Sequence, residues 1–334
     1  MRVLFIVSTP KDSGIFTSAN ALAEKLREKG VEVEIDDILG NGYDIVHLHN
    51  PLPTTFLAAR VKFRNLPFVC TTNMTVTELD GLVPNYLFGL SQQYLQFYYT
   101  HCDKIICTSK KIEALLGVEG FAQKTVLLPL GVDNGFFRPD AGLGAEFRER
   151  FGLKRKIVLA VASAQKRKGI FDFVGAAKAL PQYDFVWVGG VPQVQTLEKK
   201  SELEKLVSEK YGNLTFTGYL SMDDLLRAYN ACDVFVSPTY AETFGLNIVE
   251  AASCGKPVIV RDIPDLDNFD SFALKFSDNE GFAKQVCSVL EDDALQKSLS
   301  EKSFKESERF GLEANSKKIL EIYSELLQGK IERK

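Results

Sequence analysis

Two carboxylates, Glu242 and Glu250, stand in the stretch ETFGLNIVEAASCGKPVIV with seven residues between them. Thr243 is placed to cap a helix that begins near Phe244 and is stopped by Gly255 and Pro257. The first N–H groups of such a helix, those of Phe244, Gly245 and Leu246, have no partner within it and carry the positive end of its dipole. That arrangement suits an anion or a hydroxyl. Glu242 stands just ahead, where it can accept hydrogen bonds from hydroxyls. Glu250 lies two turns into an apolar helix, and a buried carboxylate without a partner is costly. Its partner is either a diol, such as the ribose of a nucleotide, or solvent or a nearby lysine.

A second chemical cluster is AQKRKGI, where Lys166, Arg167 and Lys168 fall between an apolar strand and a helix, with Gly169 opening the backbone. Cations at a strand end suit a diphosphate through charge-assisted hydrogen bonds; the alternative is a solvated charge run. Near the amino terminus, Gly14 in STPKDSGIFTSAN follows the first strand and permits close approach of a ligand. No G-x-G-x-x-G is present there, which argues against a dinucleotide cofactor. His47 and His49 in VHLHNP share one strand face, but the chain has three histidines and no third-ligand pattern nearby, so no metal site is expected. Asp265, Asp267 and Asp270 in DLDNFD read as a polar loop rather than a metal motif.

The elements that must position these residues alternate strand and helix almost throughout. RVLFIVS, YDIVHLH, PFVCTT and KIICTS, then KIVLAVAS, DFVWVGG, DVFVSP and PVIV, are short apolar runs of the kind buried on both faces of a parallel sheet. Amphipathic segments such as SANALAEKLREKG lie between them. The fold class is α/β, with two doubly wound parallel sheets. DNGFFRPDAGLGAEFRERFGLKR breaks the rhythm, so a domain boundary is expected near residues 139–154. Ligands in such sheets bind beyond the carboxyl ends of the strands, and a deep cleft between the two halves is the expected site.

Composition narrows the partners. A net charge of −4 and a pI near 5.6 argue against a general nucleic-acid binder, while leaving room for a local basic patch on an anionic membrane. No apolar run reaches the roughly 18 residues of a membrane span. The first residues read as a strand rather than a signal peptide, and the six scattered cysteines read as buried thiols of a cytoplasmic protein.

Taken in order, the early SG loop, DIVHLHNP, LPLGVDNGFFRP, QKRKG, VGG, DVFVSPTYAE and ETFGLNIVE resemble the retaining glycosyltransferases of family four, which have the two-domain GT-B fold. The resemblance spans nearly the whole chain and implies an acceptor domain over 1–145, a nucleotide-sugar domain over 155–311, and a last helix, 312–330, crossing back onto the first domain. It implies a UDP-sugar donor as substrate and no separate cofactor. Lys168, with Arg167, would hold the diphosphate and Glu250 the ribose. Glu242, with the N–H groups of Phe244, Gly245 and Leu246, would hold the sugar and β-phosphate. Gly14 would lie against the diphosphate, and Gly189 and Tyr219 would line the base pocket.

The chain departs from the family pattern in two places. The arginine usually found five or six residues before the lysine is replaced by Ser163 and Ala162, so that either one phosphate contact is missing or Lys166 or Arg167 supplies it. The histidine that commonly follows the strand in the first domain is Asn73, which can bond a sugar hydroxyl but cannot take a proton near neutrality. The expected reaction is metal-independent hexose transfer, of glucose or galactose, with retention, the departing phosphate receiving the acceptor proton. AQKRKGIFDFV, VWVGG and EAASCGKPVIVRDI look most like the branch that glycosylates diacylglycerol or glycosyl-diacylglycerol. Arg60, Lys62 and Arg64, with Tyr86, Phe88, Tyr94, Phe97, Tyr98 and Tyr99, suit a peripheral protein on the inner face of an anionic membrane; the alternative is that these aromatics pack the core. The rival functions are transfer to a soluble sugar or glycan, and a non-catalytic nucleotide-binding or scaffold protein of the same fold.

Overall fold

The structure, a computed structural model, describes residues 1–10, 13–72, 88–192 and 197–331. Asn73 and Tyr86 lie outside the described residues. The chain forms two compact units, Met1–Asp133 with Phe310–Lys334, and Asn134–Arg309.

The first unit carries β1 (Arg2–Ile6), α1 (Gly14–Glu28), β2 (Glu32–Ile35), β3 (Ile45–Leu48), α2 (Pro53–Lys62), β4 (Phe68–Thr71), α3 (Phe88–Thr100), β5 (Lys104–Cys107), α4 (Lys110–Val118) and β6 (Thr125–Leu127). Its strands pair in the order β2-β1-β3-β4-β5-β6, all parallel. β3 and β4 are buried along their whole length, as strands covered by helices on both faces must be. His47 is part of this core. Its Nδ1 lies 2.6 Å from the Tyr323 hydroxyl and its Nε2 lies 2.8 Å from Thr71 Oγ1. Burial, reinforced by the neighbouring His49, pushes it well below the usual histidine range, so it is a neutral hydrogen-bonding strut.

The second unit carries α5 (Ala141–Phe151), β7 (Ile157–Val161), α6 (Ile170–Ala179), β8 (Asp184–Val188), α7 (Leu197–Ser208), β9 (Leu214–Gly218), α8 (Met222–Ala231), β10 (Val234–Ser237), α9 (Leu246–Ser253), β11 (Val258–Arg261), β12 (Leu274–Phe276), α10 (Asn279–Glu291) and α11 (Asp293–Ser307). Its strands run β12-β11-β10-β7-β8-β9, again all parallel. The last helix, α12 (Leu312–Ile331), belongs to the first unit, where Tyr323 meets His47 and Glu313 pairs with Lys29 at 2.6 Å.

Three features differ from the sequence reading. The chain passes between units at Asp133–Asn134, ahead of the expected boundary, because residues 141–151 are a helix rather than a linker. Asp140 caps α5 by accepting from Gly142 and Leu143 N–H, and a Cβ on Gly144 would stand 2.6 Å from Asn230 O, so glycine lets α5 lie tight on α8. The edge strand β12 was not anticipated. The aromatics of α3 divide between core and surface: Tyr98 and Tyr99 are buried, whereas Phe97 and Leu90 on α3, with Leu57 and Val61 on α2, remain exposed. Arg60 stacks over the Phe68 ring, and Lys62 Nζ donates to the carbonyls of Ile38, Leu39 and Gly40. Among the described residues no helix is long and apolar enough to cross a membrane.

Candidate functional site

In the second sheet the chain leaves β7 toward β8 and β9 on one side, and β10 toward β11 and β12 on the other. β7 and β10 are therefore neighbours whose following loops part in opposite directions, the switch point at which open α/β sheets hold ligands. Both loops carry residues singled out above. The loop after β7 contains a short 3-10 turn, Lys166–Lys168, closed by Gly169. The loop after β10 runs through Thr239, Tyr240, Ala241 and Glu242 to the start of α9.

The two loops are laced together. Tyr240 N–H donates to Arg167 O at 2.8 Å, and Arg167 Nη1 donates to Ala241 O at 2.9 Å. Lys168 Nζ forms an ion pair with Glu242 Oε2, both side chains being mostly buried. Gly169 has a positive φ of 75°, and a Cβ there would stand 2.1 Å from Pro238 O. Gly169→Ala is expected to cost at least about 1–2 kcal/mol, because the left-handed backbone alone carries that penalty for an L residue. Chemical denaturation measures it; unaltered stability would mean the loops are not locked at this point.

Glu242 is held from several sides. Its backbone N–H donates to Asp265 Oδ1 at 3.2 Å, and its Oε1 accepts from Thr243 N–H at 3.1 Å. Burial alone would raise its pKa. The Lys168 charge and hydrogen bond, Arg167 and the Thr243 N–H outweigh burial and hold the carboxyl below its usual range. Behind this loop, buried Arg261 donates from Nε to Pro238 O at 3.1 Å, pairs with Asp172 at 2.6 Å and lies 3.9 Å from the Tyr240 ring centre.

Helix α9 begins two residues later than expected. Its cap is Gly245, with φ 92° and ψ 56°, and no side chain caps it. Thr243 is therefore not the cap, and Phe244 is not in the helix: its buried ring packs on Phe269 at 5.7 Å. Leu246 opens the first turn, and Asn247 Nδ2 ties it to Val161 O at 2.6 Å, at the end of β7. Glu250, one face further along α9, accepts a 2.6 Å hydrogen bond from the Tyr229 hydroxyl. Its partner within the chain is thus a buried tyrosine on α8.

At the end of β8, Gly189 has φ 129°, and a Cβ there would be 2.1 Å from Ala162 O. The ring of Tyr219, itself largely exposed, lies against Gly190, whose added Cβ would meet it at 2.6 Å. Gly189 and Tyr219 thus stand at the ends of β8 and β9, on the β7 side of the switch point. Gly14 lies in the other unit, at the first position of α1 beside the capping Ser13, with nothing within 4 Å of an added Cβ. Asn73 falls outside the described residues. Three residues were missed. Tyr229 lies in the amphipathic helix MDDLLRAYNA, where it reads as core, and Arg261 follows the strand VIV, where it reads as an exposed charge. Asp265 is one of the three carboxylates of the DLDNFD loop, and only its burial sets it apart. Its companions Asp267 and Asp270 surround Lys275 Nζ together with Asp262, at 3.3, 2.7 and 3.2 Å. Among the described residues no group of three His, Cys, Asp or Glu side chains could hold a metal ion.

Residues 35–136 match the family model for Glycosyltransferase Family 4, and residues 145–306 match that for Glycosyl transferases group 1. The chain belongs to the family-four glycosyltransferases. The α-galactosylglucosyldiacylglycerol synthase of Streptococcus pneumoniae is 27% identical over 66% of this glycosyltransferase and 60% of its own length. The processive diacylglycerol α-glucosyltransferase of Acholeplasma laidlawii is 25% identical over 95% of each chain. Sucrose-phosphate synthase from Thermosynechococcus elongatus superposes with a TM-score of 0.83 at 21% identity, covering 98% of this chain and 100% of that one. Anabaena HepE, in complex with UDP and glucose, gives 0.78 at 19% identity over 97% and 99% of the two chains. The fold is GT-B.

Proposed function

We propose that this glycosyltransferase moves a hexose from a UDP-sugar to a lipid-linked acceptor, diacylglycerol or a glycosyl-diacylglycerol, with retention and without a metal. The observation that carries the donor half is the pair of laced loops at the switch point: two cations, Arg167 and Lys168, face a carboxylate, Glu242, beside the amino end of α9. Arg offers five N–H donors and Lys three, so each retains donors for phosphate oxygens after its contact within the chain. As the bond from the sugar C1 to the diphosphate oxygen breaks, negative charge gathers on the leaving group. Fixed donors at that position are worth roughly 2.7–4 kcal/mol each, so Lys168 and Arg167 supply the neutralisation a divalent cation gives in other enzymes. The acceptor oxygen then bonds C1 while its proton passes to the departing phosphate on the same face, which gives retention. Glu250 takes the ribose, Glu242 the sugar hydroxyls, and Gly189 and Tyr219 the base.

The lipid acceptor is supported by the two relatives whose names specify diacylglycerol or its glycosides, and by the exposed Leu57, Val61, Leu90 and Phe97 together with exposed Arg64, a mixture suited to an anionic bilayer surface on the cytoplasmic side. A UDP-release screen across UDP-hexoses tests the whole reading, run with liposomes containing diacylglycerol or glycosyl-diacylglycerol and with soluble sugars. Release is expected with one UDP-hexose and the lipid acceptor, with the protein floating alongside anionic liposomes. Release with soluble sugars alone would move the acceptor to a free glycan. UDP binding without release from any donor would mark a non-catalytic protein.

A further inference from the structure

The two carboxylates at the ends of the E-x7-E element stand in opposite surroundings. Glu242 has two cations; among the described residues Glu250 has none. Its Oε2 accepts from the Tyr229 hydroxyl at 2.6 Å. Tyr229 is fully buried, and its ring is wedged between Phe137 and Phe235, each 5.8 Å away between ring centres. The direction of that hydroxyl is therefore fixed by packing of the ring against both phenylalanines. Glu250 itself is only partly buried, so its second oxygen, Oε1, is the one a diol would meet.

We infer that Tyr229 is a positioning residue for nucleotide binding, its buried hydroxyl holding the Glu250 carboxylate in the orientation that receives the ribose. This rests on the reading of Glu250 as the ribose ligand. The arrangement has a consequence for pH. Burial pushes Glu250 up to about 7, and the Tyr229 hydrogen bond is the contact that opposes it. The other titratable groups nearby are Cys254, at the end of α9, and Cys232, just past α8, both neutral because burial raises their thiols. Helix α9 packs against α11, β10 and β11; the charged residue of those two strands is Arg261, paired with Asp172, and Lys256, just past α9, donates to Asn230 O at 2.8 Å. A charged Glu250 accepts from ribose hydroxyls better than a protonated one, so affinity for the nucleotide falls as pH drops through Glu250's range. Removing the Tyr229 hydroxyl leaves burial unopposed and moves that fall to higher pH.

The experiment compares UDP and inorganic pyrophosphate binding by calorimetry from pH 5.5 to 9 for the full-length wild type, Tyr229→Phe and Glu250→Gln. Taking each affinity relative to Glu250→Gln cancels titration of the ligand's own phosphates. Tyr229→Phe keeps the ring that packs on Phe137 and Phe235, and pyrophosphate binding reports that the rest of the site is intact. The expected result is a midpoint about one pH unit higher in Tyr229→Phe, hence about fivefold weaker UDP binding at pH 7 that recovers near pH 9, with pyrophosphate unaffected. A uniform loss of UDP affinity at every pH would make Tyr229 merely structural and overturn the inference, as would an unshifted profile. If Glu250→Gln binds UDP like the wild type at every pH, the ribose assignment itself fails.

Discussion

UDP binding is expected to weaken about 10- to 100-fold when Lys168 is replaced by alanine, the range set by losing a hydrogen bond between charged groups. Two effects add. The diphosphate loses an ammonium, and Glu242 loses the partner that neutralises it, leaving a mostly buried negative charge where an anion must bind. A test separates the two. If Lys168 acts only by screening Glu242, then Glu242→Gln in the Lys168→Ala background restores UDP affinity. If Lys168 grips the diphosphate itself, the double variant stays weak, and that is the expected outcome; full restoration would remove Lys168 from the phosphate site. Stability carries a second signature. Glu242 is held below its usual range in the folded chain, so the pair stabilises the fold above the pKa of the unfolded carboxyl, about 4.3, and this contribution is lost as pH falls through the lower folded value. Lys168→Ala is therefore expected to lie close to the wild type in acid and to fall behind it toward neutral pH, as denaturant midpoints would show.

How much of this site can be read from the chain depends on the range over which each signal acts. KIVLAVAS and DVFVSP announce themselves because strands covered on both faces need uninterrupted apolar runs. LKF, the edge strand β12, has too few residues for any period to emerge, and its exposed neighbours blur it. Helix α5 hides behind Pro139, Gly142 and Gly144, which look like a linker. In fact Asp140 caps the helix and Gly144 is the contact glycine against Asn230. The same limit governs the chemistry. Glu242, Glu250 and Lys168 are each visible as residues in local motifs. That Lys168 reaches Glu242, 74 positions on, and that Tyr229 reaches Glu250, 21 positions on, are facts of topology: β7 lies beside β10, and α8 leads into it. No local spacing encodes either. Arg261 illustrates the remainder. In PVIVRDI it resembles an exposed charge after a strand, yet it is buried with Asp172 and braces the Pro238 carbonyl from beneath the site. A cation so far from solvent is tolerable because the carboxylate, the carbonyl and the Tyr240 and Phe276 rings stand against it.

Glu242→Gln is expected to separate binding from transfer. Glutamine has the same shape but one acceptor oxygen in place of two, so it can keep the Thr243 N–H or the Lys168 contact, not both. The ammonium freed in this way has no negative partner within the loop and becomes available to the diphosphate. UDP affinity is then held or improved. The sugar hydroxyls, by contrast, lose a charged acceptor, and transfer is expected to drop about 10- to 100-fold in kcat/KM, again the cost of one charge-assisted hydrogen bond. The two readouts move in opposite directions, which no general loosening of the loops would produce, since Arg167, Asp265 and Thr243 would all slacken together. A parallel loss of UDP affinity and of turnover would instead make Glu242 a bolt between the loops after β7 and β10. The sugar would then need another acceptor, and the E-x7-E element would owe its first carboxylate to architecture rather than to chemistry.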